Sequence, residues 1–330
     1  MYRKITNVND INIDEANSLV VMFGIPGCGK SYAASKLAER TGATVVSSDA
    51  IREEIYGTAE CQDNPDKVFA ILKQRTAELL KAGESVIIDA TSLIRKYRVS
   101  NLSTYTGLFK QAILIVCATE LEIVLRQNEQ RDRHVPQDVI ERMYRTMSFP
   151  REDEGWSEIY LLQHPDNKKS LEDYLQECWN INHNNPHHPC NIFYHMEACE
   201  EYIKKDDPEN ITAITAARFH DIGKPATKSR MKRTKDGWIE DKYSHYLGHA
   251  DISAYMMACS PDPMATSDIM ALALFHMDHY FNKEHMEKFT ELYPHLVDSY
   301  KELTKADEAC DEWYYGLKGD AVADQPTDQD

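Results

Sequence analysis

No apolar run in this chain approaches the ~20 residues that a membrane-spanning helix needs, and the first residues, MYRKITNVNDINIDEANS, lack the apolar stretch of a signal peptide. A helical membrane span is excluded, no membrane partner is expected, and a cytoplasmic location is. Paired cysteines are missing too. The eight cysteines (Cys28, Cys61, Cys117, Cys178, Cys190, Cys199, Cys259 and Cys310) are scattered and include no CxxC, the pattern of reduced packing residues in an intracellular chain. No internal repeat is present, and there is no net basic charge to advertise a nucleic-acid partner. The formal charge is −17.

The distribution of that charge matters more than its sum. Residues 1–150 hold 19 Lys and Arg against 19 Asp and Glu, so the whole acidic excess falls on the second half. A local arginine cluster in the neutral half can still meet phosphates. With 330 residues and 42% hydrophobic residues, the chain suits two ordinary cores. The expected division is 1–165, 166–315 and a tail, 316–330, with little to bury and expected to be disordered.

In the first half, β-branched apolar runs alternate with helical spacing. SLVVMFG (18–24), TVVSSD (44–49), ESVIIDA (84–90) and QAILIVCA (111–118) read as buried strands, and Cys28–Arg40 and Asp66–Lys81 as helices. A further strand is read near Trp156–Leu162, and residues 1–17 as a short polar leader. Strand–helix alternation implies a parallel sheet with helices on both faces, an α/β domain. Beyond about residue 165 helical spacing dominates, and an all-α domain is expected.

GIPGCGKS (24–31) sits between the first strand and the first helix and matches G-x-x-x-x-G-K-[ST]. Gly27 and Gly29 let the backbone curl so that successive N–H groups face a phosphate, and the helix N-terminus adds its positive end. Lys30 would reach the β- and γ-phosphates of ATP or another nucleoside triphosphate, and Ser31 would hold Mg²⁺. Asp49, at the end of the second strand, can take the proton of an attacking hydroxyl. Arg52, one turn on, can hold an acceptor phosphate in a fork. Asp89 and Thr91 end the third strand, where they position Mg²⁺ or acceptor, or Asp89 simply caps a helix. Arg95 and Arg98 follow on a helix that could touch the acceptor. Arg126, Arg131 and Arg133 lie on a segment read as a helix entering a proline turn, with Pro136 at the first position of the next helix, and can close over ATP. Met143, Tyr144 and Met147 read as packing.

Histidine is concentrated after residue 160. His195, His220-Asp221, His249, His276 and Asp307 fall on separate helices, and Gly223 is read as the stop of the helix before it. Convergent imidazole and carboxylate groups suit a divalent metal better than a closed structural zinc site. A metal-bound water would then attack a phosphate ester. His187, His188, His245, His279 and His295 read as packing or surface. KSRMKRTK (228–235), the one basic run of the acidic half, is either a solvated loop or a guide for RNA.

Two resemblances follow from these motifs. The P-loop, SSDAIREEI, VIIDATSL and the arginine segment through VPQDVIERMY together look like the kinase module of phage and bacterial polynucleotide 5′-kinases, over about residues 18–160. That resemblance implies Asp49 as general base on a 5′-hydroxyl, Arg52 as the contact to the acceptor's first phosphate, and Arg126 and Arg131 as lid residues on ATP. Those kinases often carry arginine just before the aspartate, where this chain has Ser48. HDIGK and YLGHADISA resemble the HD phosphohydrolase superfamily, and the part from NNPHHPCNIFYH onward looks like HD modules attached to tRNA nucleotidyltransferases. This implies His195, His220, Asp221 and Asp307 as ligands of a metal (Mn, Fe, Mg, Ni, Co or Zn). His249, His276 and Lys224 would serve a second metal or the substrate phosphate. Together the modules suggest repair of nucleic-acid ends, RNA favoured over DNA, with an RNA ligase as a candidate partner. Two other readings stay open: a small-molecule kinase joined to a nucleotide hydrolase, and an ATP-driven switch whose HD half only binds a nucleotide.

Overall fold

A computed structural model of the chain describes residues 2–13, 16–185, 190–235, 237–281 and 283–318. The chain divides into two compact units, 1–167 and 168–330. No helix among the described residues is long and apolar enough to cross a membrane.

The first unit runs β1 (Tyr2–Ile5), β2 (Ser18–Phe23), α1 (Lys30–Thr41), β3 (Thr44–Ser47), α2 (Ser48–Tyr56), α3 (Pro65–Lys81), β4 (Val86–Asp89), α4 (Arg95–Thr104), β5 (Gln111–Ala118), α5 (Leu121–Glu129), α6 (Gln137–Arg145) and β6 (Glu158–Gln163). Its six strands form one sheet in the order β1-β6-β5-β2-β4-β3, every pair parallel. All of β2 and β4 is buried, and all of β5 except Gln111. Successive strand residues point to opposite faces, so total burial means that both faces of the central strands are covered. The four apolar runs expected as strands, and the one near Trp156–Leu162, occupy this sheet.

Residues 1–17 depart from the expected leader. Tyr2–Ile5 pair with Ile159–Leu162 as an edge strand, and the buried Tyr2 donates its hydroxyl proton to the Pro150 carbonyl at 2.8 Å. Ile11 is buried as well. A four-residue strand whose middle is Arg-Lys gives no periodic signal; pairing with β6, not its own apolar content, makes it a strand. Pro136 also differs, sitting at the N-cap of α6, one position before that expected.

The second unit comprises α7 (Leu171–Gln176), α8 (Ile192–Asp206), α9 (Ile211–Phe219), α10 (Lys224–Thr227), β7 (Ser229–Thr234), β8 (Gly237–His245), α11 (His249–Cys259), α12 (Ser267–Phe275), α13 (Asp278–Phe281), α14 (Lys283–Leu292) and α15 (Val297–Lys318). Helices α8, α9, α12 and α15 pack on one another, and α11 packs on α12. Their shared core includes Ile192, Met196, Ala217, Phe219, Leu272, Phe275 and Leu303. The helical expectation holds with one exception. The basic run expected as a loop forms the first strand of an antiparallel hairpin, β7–β8. His187 and His188 and residues 319–330, most of the expected tail, lie outside the described residues; Lys318 ends α15.

Candidate functional site

The turn after β2 carries the phosphate-binding motif. Gly27 has φ +90°, a region that glycine enters without strain, and a Cβ there would sit 3.1 Å from the Val124 carbonyl oxygen. Gly29, also at positive φ, is the N-cap of α1, so the first turn of that helix opens toward the loop. Lys30 is nearly buried, and its ammonium donates to the Ile25 carbonyl within the loop at 2.9 Å. Ser31 donates from Oγ to Asp89 Oδ2 at 2.8 Å. Asp89 thus faces the loop from the end of β4, and its carbonyl accepts from Ser48 Oγ at 3.4 Å. Gly24 N donates to the Thr91 carbonyl at 3.1 Å. These bonds tie together the ends of β2, β3 and β4, where ligands of open parallel sheets bind.

Asp49 is the second residue of α2; the cap is Ser47, which accepts from Ala50 N. Its carboxylate is gripped on both sides. Arg52 Nη1 donates to Oδ1 and Arg133 Nη1 to Oδ2, each at 2.8 Å. The Asp49 side chain is half-exposed, Arg52 and Arg133 less so, so one face of the carboxylate stays open to an incoming group. Arg133 reaches it from the bend after α5, and that bend is clamped by Asn128. The Asn128 Nδ2 donates to the Val135 carbonyl at 2.8 Å, and its Oδ1 accepts from Val135 N at 3.0 Å.

The other arginines fall elsewhere. Arg126, the only one of the expected lid trio on α5, pairs with Asp166 at 2.9 Å on the surface. Arg131 is exposed in the bend and has no acidic partner among the described residues. Arg98 corrects the sequence reading. Its side chain is fully buried against Glu154, with Nε–Oε2 at 2.8 Å and Nη2–Oε1 at 2.5 Å. Nη1 donates to the Ser92 carbonyl at 2.9 Å. The guanidinium is wholly out of solvent, where an acceptor does not reach it; helical spacing could not say which face of α4 is covered. Arg95 pairs with Asp153 at 2.7 Å. Tyr144 and Met147 are core residues, as expected, and Met143 is half-buried.

In the second unit, side chains from α8, α9, α11, α12 and α15 converge. His195 Nε2 lies 3.0 Å from Asp307 Oδ1 and 3.6 Å from Asp221 Oδ2. His220 Nε2 lies 3.3 Å from Asp221 Oδ2 and 3.5 Å from Asp307 Oδ1. His249 Nε2 is 3.2 Å from Asp221 Oδ1 and 3.1 Å from His276 Nε2. Lys224 Nζ contacts Asp221 Oδ2. All the residues expected as ligands, and all three expected to serve a second metal or phosphate, stand in this one cluster, each buried to more than nine-tenths.

Backbone carbonyls orient the rings. Nδ1–H donates three residues back from His220 to Ala217, from His249 to Tyr246 and from His276 to Ala273, at 2.7–2.8 Å. His220 and His276 are the C-caps of α9 and α12, where carbonyls lack helical partners. Each Nε2 lone pair is thereby turned inward, the tautomer a metal ligand requires. Gly223 allows the close approach of α11 rather than stopping a helix in the left-handed conformation. A Cβ on it would collide with the His249 carbonyl and lie 2.6 Å from Ser253 N.

Sequence reasoning missed two members. His183 donates from Nδ1 to the Cys190 carbonyl at 2.9 Å, and its Nε2 accepts from Lys224 Nζ at 3.2 Å. Cys199, one helical turn after His195, has its Sγ 3.8 Å from His195 Nε2. The i, i+4 spacing was the available signal for Cys199; His183 has none, since its role depends on Lys224.

Burial and opposing charge compete within the cluster. Burial opposes charge on Asp221 and Asp307, yet the nearby imidazoles and Lys224 hold both carboxyls well below the usual range. Burial likewise opposes charge on His220, but Asp221 and Asp307 outweigh it and raise this imidazole to about 9. His276 is pushed down to about 3 by burial and by His220 and His249. Two further observations fit a metal. His220 Nε2 and Asp221 Oδ1 are buried and, despite the short approaches above, make no hydrogen bond of good geometry among the described residues, and two inward-facing Nε2 atoms 3.1 Å apart repel unless a proton or cation lies between them. His195, Cys199, His220 and Asp307 form one group whose ligand atoms all lie within 4.8 Å of one another, and His220, Asp221 and His276 form a second.

Over 197 residues, 58% of this chain and 72% of the relative, the sequence is 23% identical to L-seryl-tRNA(Sec) kinase of Methanococcus maripaludis. Among solved structures, a gluconokinase from Sinorhizobium meliloti 1021 is 20% identical with a TM-score of 0.34, covering 44% of this chain and 82% of that one. A chain of the Pnkp1/Rnl/Hen1 complex is 24% identical with a TM-score of 0.32, covering 38% of this chain and 42% of that one. Residues 19–150 match the model of the AAA domain and residues 187–292 that of the HD domain, so a P-loop AAA domain and an HD domain are joined in one chain.

Proposed function

We propose that the chain processes nucleic-acid ends, phosphorylating a polynucleotide 5′-hydroxyl from ATP in its first unit and hydrolysing a phosphoester in its second, as in RNA repair. The observation that carries the reading is the Asp49 carboxylate held between Arg52 and Arg133 beside the Ser31–Asp89 pair. An Asp oxygen takes the proton of the 5′-hydroxyl as its oxygen attacks the γ-phosphorus, and the bond to the β–γ bridging oxygen breaks, leaving ADP. Arg52 and Arg133 are placed to bind acceptor phosphate or offset charge on the transferring group. A bound Mg²⁺, near Ser31 and Asp89, would neutralise charge on the β- and γ-phosphates.

In the HD unit His195, His220, Asp221 and Asp307 would hold a divalent metal, with His249, His276 and Lys224 left for a second metal or the substrate phosphate. The metal, when bound, lowers the pKa of a coordinated water and so supplies the nucleophile. The natural ester on this reading is a 2′,3′-cyclic or terminal 3′ phosphate. Similarity to L-seryl-tRNA(Sec) kinase supports a second reading, in which the acceptor is a smaller hydroxyl. The test is transfer from labelled ATP to 5′-OH RNA, 5′-OH DNA, free nucleosides and seryl-tRNA. Preference for polynucleotide 5′ ends is expected, and transfer only to nucleosides or to the seryl group would overturn the reading.

A further inference from the structure

The hairpin β7–β8 grows out of the HD cluster. Its first strand follows α10, the helix that opens with Lys224, and its second leads through Tyr246 to His249. The base is anchored. Ser244 N donates to the Asn184 carbonyl at 2.9 Å, Tyr246 Oη donates to the His183 carbonyl at 2.6 Å, and the Tyr246 ring lies 5.7 Å from Lys224 Nζ. Farther out the hairpin is bare. Trp238 is 56% exposed and Ile239 51%, an unusual display for a two-stranded ribbon.

Charge on the ribbon opposes that of its unit. Residues 228–242 contain six Lys and Arg and three acidic residues, whereas 168–330 as a whole contain 17 basic and 30 acidic residues. Of those acids, Asp241 is engaged by His245 at 3.0 Å and by Lys232 at 4.0 Å. Arg230 is exposed, with no acidic partner among the described residues. The register sets Trp238 opposite Arg233 on one face of the ribbon and Ile239 opposite Lys232 on the other, so each face places a bulky apolar position beside a basic one. That combination fits a polyanion with stackable faces better than an acidic peptide, which offers no rings for the indole.

We infer that β7–β8 is a docking arm for single-stranded nucleic acid whose end lies in the HD cluster, with Trp238 stacking on a base and Arg230, Lys232 and Lys235 holding phosphates. The inference rests on the nucleic-acid reading of the HD unit. The register sets Trp238 opposite Arg233 and His245 opposite Ser229, so Trp238 and His245 stand four residues of β7 apart along the ribbon, about 14 Å. At about 3.4 Å per stacked nucleotide, roughly four nucleotides span that distance, and a mononucleotide does not.

The experiment uses the full chain and a single-stranded RNA of about ten nucleotides carrying 4-thiouridine and a 3′-phosphate. Cross-linked peptides are mapped, and affinity is read by polarisation across a salt series. Cross-links are expected within 229–242. Trp238→Ala should weaken binding about ten-fold, with Trp238→Phe restoring most of it, and the Arg230→Glu/Lys232→Glu pair should flatten the salt slope. Cross-links only outside the ribbon, unchanged affinity and slope in the variants, or equally tight binding of a polyglutamate peptide would overturn the proposal. Mn²⁺-dependent hydrolysis of bis-p-nitrophenyl phosphate, a chainless ester, should be equal in wild type and variants. Its absence from wild type would sink the hydrolase reading while leaving the cross-link result to judge the arm.

Discussion

Replacing Arg98 separates a structural arginine from an acceptor-binding one. The side chain lies wholly out of solvent, makes a two-pronged pair with Glu154, bonds the Ser92 carbonyl and lies 5.3 Å from the Phe23 ring centre. Glu154 also accepts from Trp156 Nε1 at 3.0 Å and from Arg151 N at 3.1 Å. Arg98→Met keeps much of the volume but leaves a buried carboxylate without its cation, which costs about 3–5 kcal/mol. For a unit of this size each kcal/mol moves the midpoint by about 2–4 °C, so the AAA domain should melt about 6–20 °C lower. Calorimetry of the full chain resolves this if the HD transition stays in place. A second variant, Arg98→Met/Glu154→Met, removes both charges and should recover most of the loss. Below the lowered midpoint, the Michaelis constant for a 5′-OH oligonucleotide should stay within about two-fold of wild type, since the guanidinium is wholly buried against Glu154. A variant of unchanged stability whose Michaelis constant rises steeply would refute this reasoning and return Arg98 to the acceptor site.

Three other perturbations bear on the sites. Asp49→Asn and Lys30→Ala should each lower phosphoryl transfer by about 10²–10⁴-fold while leaving ester hydrolysis intact, as radiolabel transfer and phosphate release would measure side by side. Asp221→Ala should do the reverse, cutting metal-dependent hydrolysis by more than the about 10–100-fold typical of a residue behind the ligands, with metal content read by emission spectroscopy. Loading of the metal-stripped protein should depend on pH. Because His220 is raised from 6.5 to about 9, it must lose a proton to bind, so affinity should climb about ten-fold per pH unit up to about 9 and then level off. The same proton stabilises the metal-free fold, fully below pH 6.5 and no longer above about 9; calorimetry with and without metal would show it.

The sheet was legible wherever a strand is buried on both faces, because burial forces a continuous apolar run. β2, β4 and β5 therefore stand out, while β1 and β7 do not. Tyr2–Ile5 and Ser229–Thr234 owe their conformation to a partner strand, and a partner is invisible in a local pattern. In the HD unit, HDIGK and the separate histidines located the cluster because ligand chemistry restricts residue type. His183 escaped because a histidine joined to a lysine looks like any other until Tyr246 and Cys190 fix the path of the chain around it. Arg98 was misread because a basic residue beside a phosphate loop carries the same letter whether it faces solvent or Glu154.

The pairing of β1 with β6 bears on how the protein is made. The first strand of the first unit finds its neighbour only after residues 158–163 have been synthesised, although the P-loop and its flanking strands β2, β4 and β5 can assemble once residue 118 has emerged. During translation Tyr2–Ile5 must wait as an unmatched ribbon while the centre of the sheet closes behind it. Slowing the ribosome between codons 118 and 163 would therefore prolong a nascent form with one raw sheet edge, the form most open to capture by chaperones.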